Sequence, residues 1–208
     1  AYLKNIEDNP AFLNQKLLYK KTLNTNQYYP PEQRLEDGLY NIEVLLGQSI
    51  VYSDNDAHDA LTLPVEKDIA DFYKKMQLSN LPVKLTNFFS ARDMSRIFRI
   101  LFNASYLSES YSEQALELLT RTNFSRGLVA GVDPNILVAH KFGEYTYSGA
   151  LLDGDSKKQL HDCGIVYYPG KPYVLCVMTE GKDFGLLEEV IKNISKIVFN
   201  YVREHNIE

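Results

Sequence analysis

The stretch QLHDCGIVYYPGKPYVLCVMTE, residues 159–180, is two short apolar runs around Tyr168-Pro169-Gly170-Lys171-Pro172. It predicts two antiparallel strands, Gln159 to Tyr168 and Tyr173 to Glu180, joined by a tight connection. Ile136 to Tyr147 upstream is strand-like too, and Asp183 to Glu204 downstream turns helical. Asp183 is the expected cap of that helix. Leu187, Val190, Ile191, Ile194, Ile197, Val198 and Tyr201 recur along it at helical spacing, a stripe wide enough to lie across a sheet. Cys163 and Cys176 sit on the two arms of the hairpin, close enough to touch. Two buried free thiols packing as small hydrophobes are the commoner outcome there than a bridge.

From Ala1 to about Arg126 the periodicity is helical and strand-like runs are almost absent. Ala1 begins without a helix start signal, as though inside a helix, and that helix ends at Asp8-Asn9-Pro10. A second helix is expected before a polar loop over Thr22 to Gly38. A third is capped by Asn41 and stops near Tyr52. Others are expected at Val65 to Met76 behind Pro64, at Ala91 to Asn103 capped by Ser90, and at Glu113 to Thr120 capped by Ser112. The fold class that follows is α+β. An all-helical lobe, residues 1–130, is followed by a three-stranded antiparallel sheet with its C-terminal helix, residues 131–208, and a cleft lies where they meet.

Among 208 residues, 22 Lys and Arg stand against 27 Asp and Glu, giving a net charge of −5. No segment concentrates positive charge with interleaved aromatics, so nucleic acid is not an expected partner. The longest apolar runs, such as Tyr173 to Met178, are far shorter than the ~20 residues of a membrane span. The four histidines have no metal-ligand spacing, and no metal or other cofactor is expected. His58 reads as a helix-surface residue, His205 as part of a fraying end, and His140 and His161 as strand residues. Because strand side chains alternate, His140 faces away from Lys141 and reads as a packing residue rather than a base.

Two constellations carry chemistry when read together: Tyr52-Ser53-Asp54-Asn55 just after a helix, and His140-Lys141-Phe142-Gly143-Glu144 within the first strand of the sheet. Either alone reads as local structure, since Ser, Asp and Asn all bond nearby backbone in caps and turns. Leu35-Glu36-Asp37-Gly38 and Ile42 to Tyr52 lead into the first, with Ala57 after it. Leu137-Val138-Ala139 leads into the second, and His161-Asp162-Cys163-Gly164-Ile165-Val166 and Pro172-Tyr173-Val174-Leu175 follow. On these residues the chain resembles the penicillin-recognising serine hydrolases, the class A β-lactamases and D-alanyl-D-alanine peptidases, over nearly its whole length. The similarity is to their C-terminal two-thirds.

The resemblance implies an acyl-transfer site at the seam of the two lobes, acting on a β-lactam or a peptidoglycan stem peptide. Ser53 would relay a proton to the leaving amine, and Asn55 would hold the substrate amide. Lys141 would supply positive charge for the substrate carboxylate. Gly143 would leave room beside the strand for a substrate backbone, and the main-chain N–H of Glu144 would be one oxyanion-hole donor. Asp54 would fix the loop. Tyr147 is a further substrate-contact candidate, although Tyr145 and Tyr147 alternate as ordinary strand residues do. An extracytoplasmic location, periplasmic or secreted, is also implied.

The chain departs from the family pattern in several places. No Ser-x-x-Lys, the nucleophile motif, occurs in the 208 residues. The resemblance puts it, with a helix and two flanking strands, in a segment before Ala1, so a complementary N-terminal segment becomes an expected partner. Without it a sheet edge and one helix face would lie bare. Phe142 replaces a hydroxyl residue that helps grip the substrate carboxylate. Glu66, Glu109, Glu113 and Glu117 lie between Asn55 and Lys141, but none has the Glu-x-x-Leu-Asn setting of the deacylating glutamate, so slow deacylation is expected. Cys163 stands near the place of a carboxylate-binding arginine, and whether Arg126 substitutes is left open. The alternative is a non-catalytic cell-wall or protein-binding module of the same fold.

Overall fold

A computed structural model describes residues 2–22, 27–76, 89–148 and 156–205. Ala1, the middle of the polar loop at 23–26 and most of the connection at 77–88 lie outside the described residues. In chain order the elements are α1 (Tyr2–Asp8), β1 (Lys16–Tyr19), β2 (Gly38–Asn41), α2 (Ile42–Val51), α3 (Asn55–Thr62) and α4 (Glu66–Lys75). They continue with α5 (Ala91–Phe102), α6 (Glu109–Thr120), β3 (Val138–Ser148), β4 (Ser156–Val166), β5 (Tyr173–Gly181) and α7 (Phe184–Glu204).

The sheet is antiparallel in the order β3-β4-β5, with Lys141 opposite Cys163 and Cys163 opposite Cys176. One face of alternating residues, Val138, Phe142, Leu160, Val166 and Val177, packs against Phe184, Leu187, Ile191 and Phe199 of α7. The other face, Ala139, Cys163 and Ile165, meets Phe98 of α5 and Leu116 and Leu119 of α6. The helical lobe has its own core of Tyr2, Ile6, Tyr19, Ile42, Leu45, Ala57, Leu61 and Val65. The chain is thus an α+β fold in which the sheet lies between α7 and the helical lobe.

Several local expectations are corrected. No second helix forms: Pro10–Asn14 is a 3-10 turn, and Lys16–Tyr19 is a strand paired with Gly38–Asn41. Four residues are too few to show a period, and Tyr19 is committed to strand by its fully buried ring. The sixth helix starts at Glu109 after Ser108, one turn earlier than expected. Ser112 is buried inside it rather than capping it, because Tyr111, Ala115 and Leu119 continue one face across it. In α7 the side that packs runs Phe184, Leu187, Ile191, Ser195 and Phe199. Val190, Ile197 and Tyr201 of the expected stripe are exposed at 45%, 68% and 61%, together with Leu186. The helix carries more apolar residues than one face can bury. Cys163 and Cys176 form a disulfide between paired strands; their direct cross-strand register, which short apolar runs do not reveal, puts the sulfurs in bonding reach.

His140 and Asp162 are 1% and 0% exposed and hydrogen-bonded at 2.9 Å between His140 Nδ1 and Asp162 Oδ1. Asp162 Oδ2 accepts from the Leu128 N–H at 2.9 Å, and Ser195 Oγ donates to the Leu128 carbonyl at 2.8 Å. The pair joins β3, β4, the turn at Leu128–Gly131 and α7 into one unit. The helical lobe is tied to it by Thr122, whose hydroxyl donates to the His140 carbonyl at 2.8 Å, and by the Asn123 N–H, which donates to the Val51 carbonyl at 3.0 Å.

Candidate active site

Helix α2 ends at Tyr52, and the chain turns into α3 through Ser53 and Asp54. Ser53 has φ +54°, the left-handed region that a side-chain-bearing residue enters at a cost. Asp54 holds it there. Fully buried, its Oδ1 accepts from the N–H groups of Asp56 at 2.8 Å and Ala57 at 3.2 Å, capping α3. Its Oδ2 accepts from the Tyr19 hydroxyl at 3.0 Å and from Gln48 Nε2 at 3.2 Å, and Gln48 also donates to the Gln33 carbonyl. Both Asp54 oxygens are therefore satisfied by β1, α2 and α3. The sequence does not single out Tyr19 or Gln48, because neither lies near the motif in the chain.

The hydroxyl so placed meets β3. Lys141 Nζ donates to Ser53 Oγ at 2.6 Å, a contact between residues 88 positions apart, and to the Phe142 carbonyl at 3.1 Å. Burial pushes the Lys141 ammonium down to about 8, while Asp162 and Glu144 pull it back up. A lysine in that range is mostly ammonium near neutral pH but reaches its amine form far more readily than an exposed lysine, so the Lys141–Ser53 pair is able to pass a proton. Asn55, the first residue of α3, is exposed beside this pair, and Gly143 is exposed two places along β3. A Cβ added at Gly143 would meet nothing within 4 Å, so the strand is open there.

Glu144 closes the group. Its Oε1 accepts from the Tyr29 N–H at 2.9 Å, whereas its Oε2 is buried with no partner among the described residues. Burial pushes the carboxyl up to about 7, against the opposing pull of the Tyr28–Tyr29 peptide and Lys141. Tyr29 is held by edge contacts with Phe124 at 4.9 Å and Phe142 at 5.6 Å, and the Arg126 guanidinium lies 4.8 Å from its ring centre. Arg126 also reaches Glu188 at 3.5 Å. Nothing in the sequence pairs Tyr29 with Glu144, since the contact spans 115 positions.

Two of the named side chains are engaged elsewhere. The Phe142 ring is 5% exposed and stacks on Phe124 at 4.3 Å, within the core beneath α7. Its ring touches the site through Lys141, whose Nζ is 4.6 Å from the ring centre. Tyr147 is six residues beyond Lys141, on the order of 20 Å along an extended strand. Its hydroxyl donates to Glu180 at 2.7 Å, in an exposed cluster with Lys157 and Gln159. Among the described residues no group of three or more His, Cys, Asp or Glu is placed to hold a metal ion.

Comparison with curated proteins finds no match. Among solved structures the chain is similar to PBP-A (18% identity, TM-score 0.75, 98% of this chain and 77% of that one). A point mutant of PBP-A solved as an acyl-enzyme complex with penicillin G gives a TM-score of 0.73 at 18% identity, over 98% and 77% of the two chains. The TLA-3 extended-spectrum β-lactamase gives 0.80 at 20%, over 97% and 80%. A β-lactamase from Chitinophaga pinensis gives 0.80 at 18%, over 96% and 80%. These likenesses establish the fold. The β-lactamase enzyme family profile matches residues 1–202, and the chain belongs to that family.

Proposed function

We propose that Ser53, Asn55, Lys141 and the Glu144 main-chain N–H are the substrate-holding half of a serine acyl-transfer site for β-lactams or D-alanyl-D-alanine peptides. The observation that carries this reading is the 2.6 Å bond from Lys141 Nζ to Ser53 Oγ across the seam of the lobes. In the proposed reaction a serine oxygen attacks the substrate carbonyl, and the oxygen of the tetrahedral intermediate is held by the Glu144 N–H. The leaving nitrogen takes its proton from the Ser53 hydroxyl, which recovers one through Lys141. Asn55 holds the substrate amide. The left-handed Ser53 backbone supports this assignment, because strain of that kind persists where the surroundings hold a side chain in a required place.

The 208 residues contain no Ser-x-x-Lys, so the attacking serine is assigned to a complementary N-terminal segment of the same protein. Slow deacylation follows from the lack of a glutamate in the family setting between Asn55 and Lys141. An extracytoplasmic location is supported by the Cys163–Cys176 disulfide, which persists in oxidising compartments. No described helix is long and apolar enough to cross a membrane. The test is labelling with a fluorescent penicillin of the chain joined to its upstream segment. A persistent covalent adduct is expected, slowed by Ser53→Ala and by Lys141→Ala, and a fully joined protein that never labels removes the catalytic reading. The burial of Phe142 in the core, which leaves β3 without the family's hydroxyl, favours the second reading, a non-catalytic cell-wall or protein-binding module.

A further inference from the structure

Strand β3 runs on well past Lys141, and its register fixes what the continuation presents. Just before the strand the Leu137 carbonyl accepts from the Tyr167 N–H at 2.9 Å, so odd-numbered residues turn their main chain to β4. The even-numbered ones, Glu144 and Thr146 among them, turn theirs to the other edge. Thr122 bonding the His140 carbonyl and Lys141 bonding the Phe142 carbonyl agree with this. Side chains alternate between the faces, so Lys141, Gly143, Tyr145 and Tyr147 share the face turned to the helical lobe, that of Ala139 and Cys163. Gly143 carries no side chain and its surroundings are open, so nothing on the strand stands between Lys141 and Tyr145.

Tyr145 is 60% exposed, and its ring stacks on that of Tyr147 with centres 6.0 Å apart and planes 23° from parallel. The polar groups beside the pair are used on one another: Glu180 accepts from the Tyr147 hydroxyl at 2.7 Å, Lys157 at 2.8 Å and Gln159 at 3.0 Å. What this end of the sheet offers a ligand is therefore the Tyr145 ring. In a β-lactam or a D-alanyl-D-alanine peptide the carboxylate, the leaving nitrogen, the reacting carbonyl and the acyl substituent follow one another along the molecule. With the carboxylate at Lys141 and the carbonyl at the Glu144 N–H, the substituent continues along β3 to Tyr145. We propose that Tyr145, backed by the Tyr147 ring, is a specificity-determining residue that favours substrates whose acyl substituent ends in an aromatic ring over those ending in a small aliphatic group. Stacked or edge-on rings attract beyond the area they bury, which a methyl group does not reproduce. This rests on the acyl-transfer reading for where the substrate lies.

The test is acylation of the chain joined to its upstream segment by benzylpenicillin and by its acetamido counterpart, which differ only in the phenyl ring, followed by intact mass. The phenyl-bearing reagent is expected to acylate about fivefold faster. Tyr145→Ala is expected to bring the two rates together, and Tyr145→Phe, which keeps the ring, to retain the preference. Each ratio compares two reagents on one protein, so a general loss of folding or reactivity cancels from it. Equal rates in the parent overturn the inference without recourse to any variant, as does a preference that survives in Tyr145→Ala. If neither reagent forms an adduct with the parent, the acyl-transfer reading itself falls, and the preference falls with it.

Discussion

Two carboxyl groups near the Lys141–Ser53 contact differ in how completely they are used. Asp54, in the turn between α2 and α3, accepts four hydrogen bonds and is sealed from solvent. Glu144, at the edge of β3, accepts one and leaves an oxygen without a partner among the described residues. A buried carboxylate with every lone pair engaged is scaffold. One left half-engaged costs the fold the desolvation of the oxygen without a partner. The turn is thus built to hold Ser53 still, whereas the carboxyl in the middle of β3 is left half-engaged.

Breaking the turn should have the largest effect. Asp54→Ala strands the Tyr19 hydroxyl, Gln48 and two helix N–H groups, and a loss of about 3–5 kcal/mol in chemical denaturation is expected. A loss under about 1 kcal/mol would mean the turn is held by something else. Next comes Phe142→Thr, which restores the family's hydroxyl but removes a ring stacked on Phe124 in the core. About 3 kcal/mol of destabilisation is expected, with no gain in carboxylate binding. Improved carboxylate binding would show that this side chain turns into the cleft.

Glu144→Gln sharpens the contrast through pH. The folded carboxyl is raised to about 7 from an ordinary 4.5, so between those values the folded chain binds more protons than the unfolded one and the parent loses stability as pH rises. The variant lacks that loss. Its advantage over the parent should be near zero below about pH 4.5, grow up to about pH 7 and then level off in parallel denaturation curves. A flat difference would place Glu144 in water. The smallest effect belongs to Tyr147→Phe. Removing the exposed bond to Glu180 should leave Tm and the penicillin labelling of the joined protein unchanged, and slower labelling would bring the Tyr147 hydroxyl into the site after all.

Much of the frame was legible before any coordinates. The hairpin at 159–180 is announced by Pro169-Gly170 between apolar runs, and α7 by Asp183, whose side chain does cap it by accepting from the Leu186 N–H. The strand Lys16–Tyr19 was not legible, because its partner Gly38–Asn41 is remote in sequence and four residues carry no period. The exposed side of α7 was not legible either, since composition counts apolar residues without saying which side meets the sheet.

Sequence alone determined the family, the two motifs and the order of helix, sheet and helix, because caps, turns and residue periodicity are local properties written in adjacent residues. Tertiary structure decided the rest. It brought Lys141 to Ser53 across 88 positions, sank Phe142 into the core, joined Cys163 to Cys176 and left one oxygen of Glu144 without a partner among the described residues. Burial, register and hydrogen-bond saturation belong to the packed whole, so no single stretch of the chain records them.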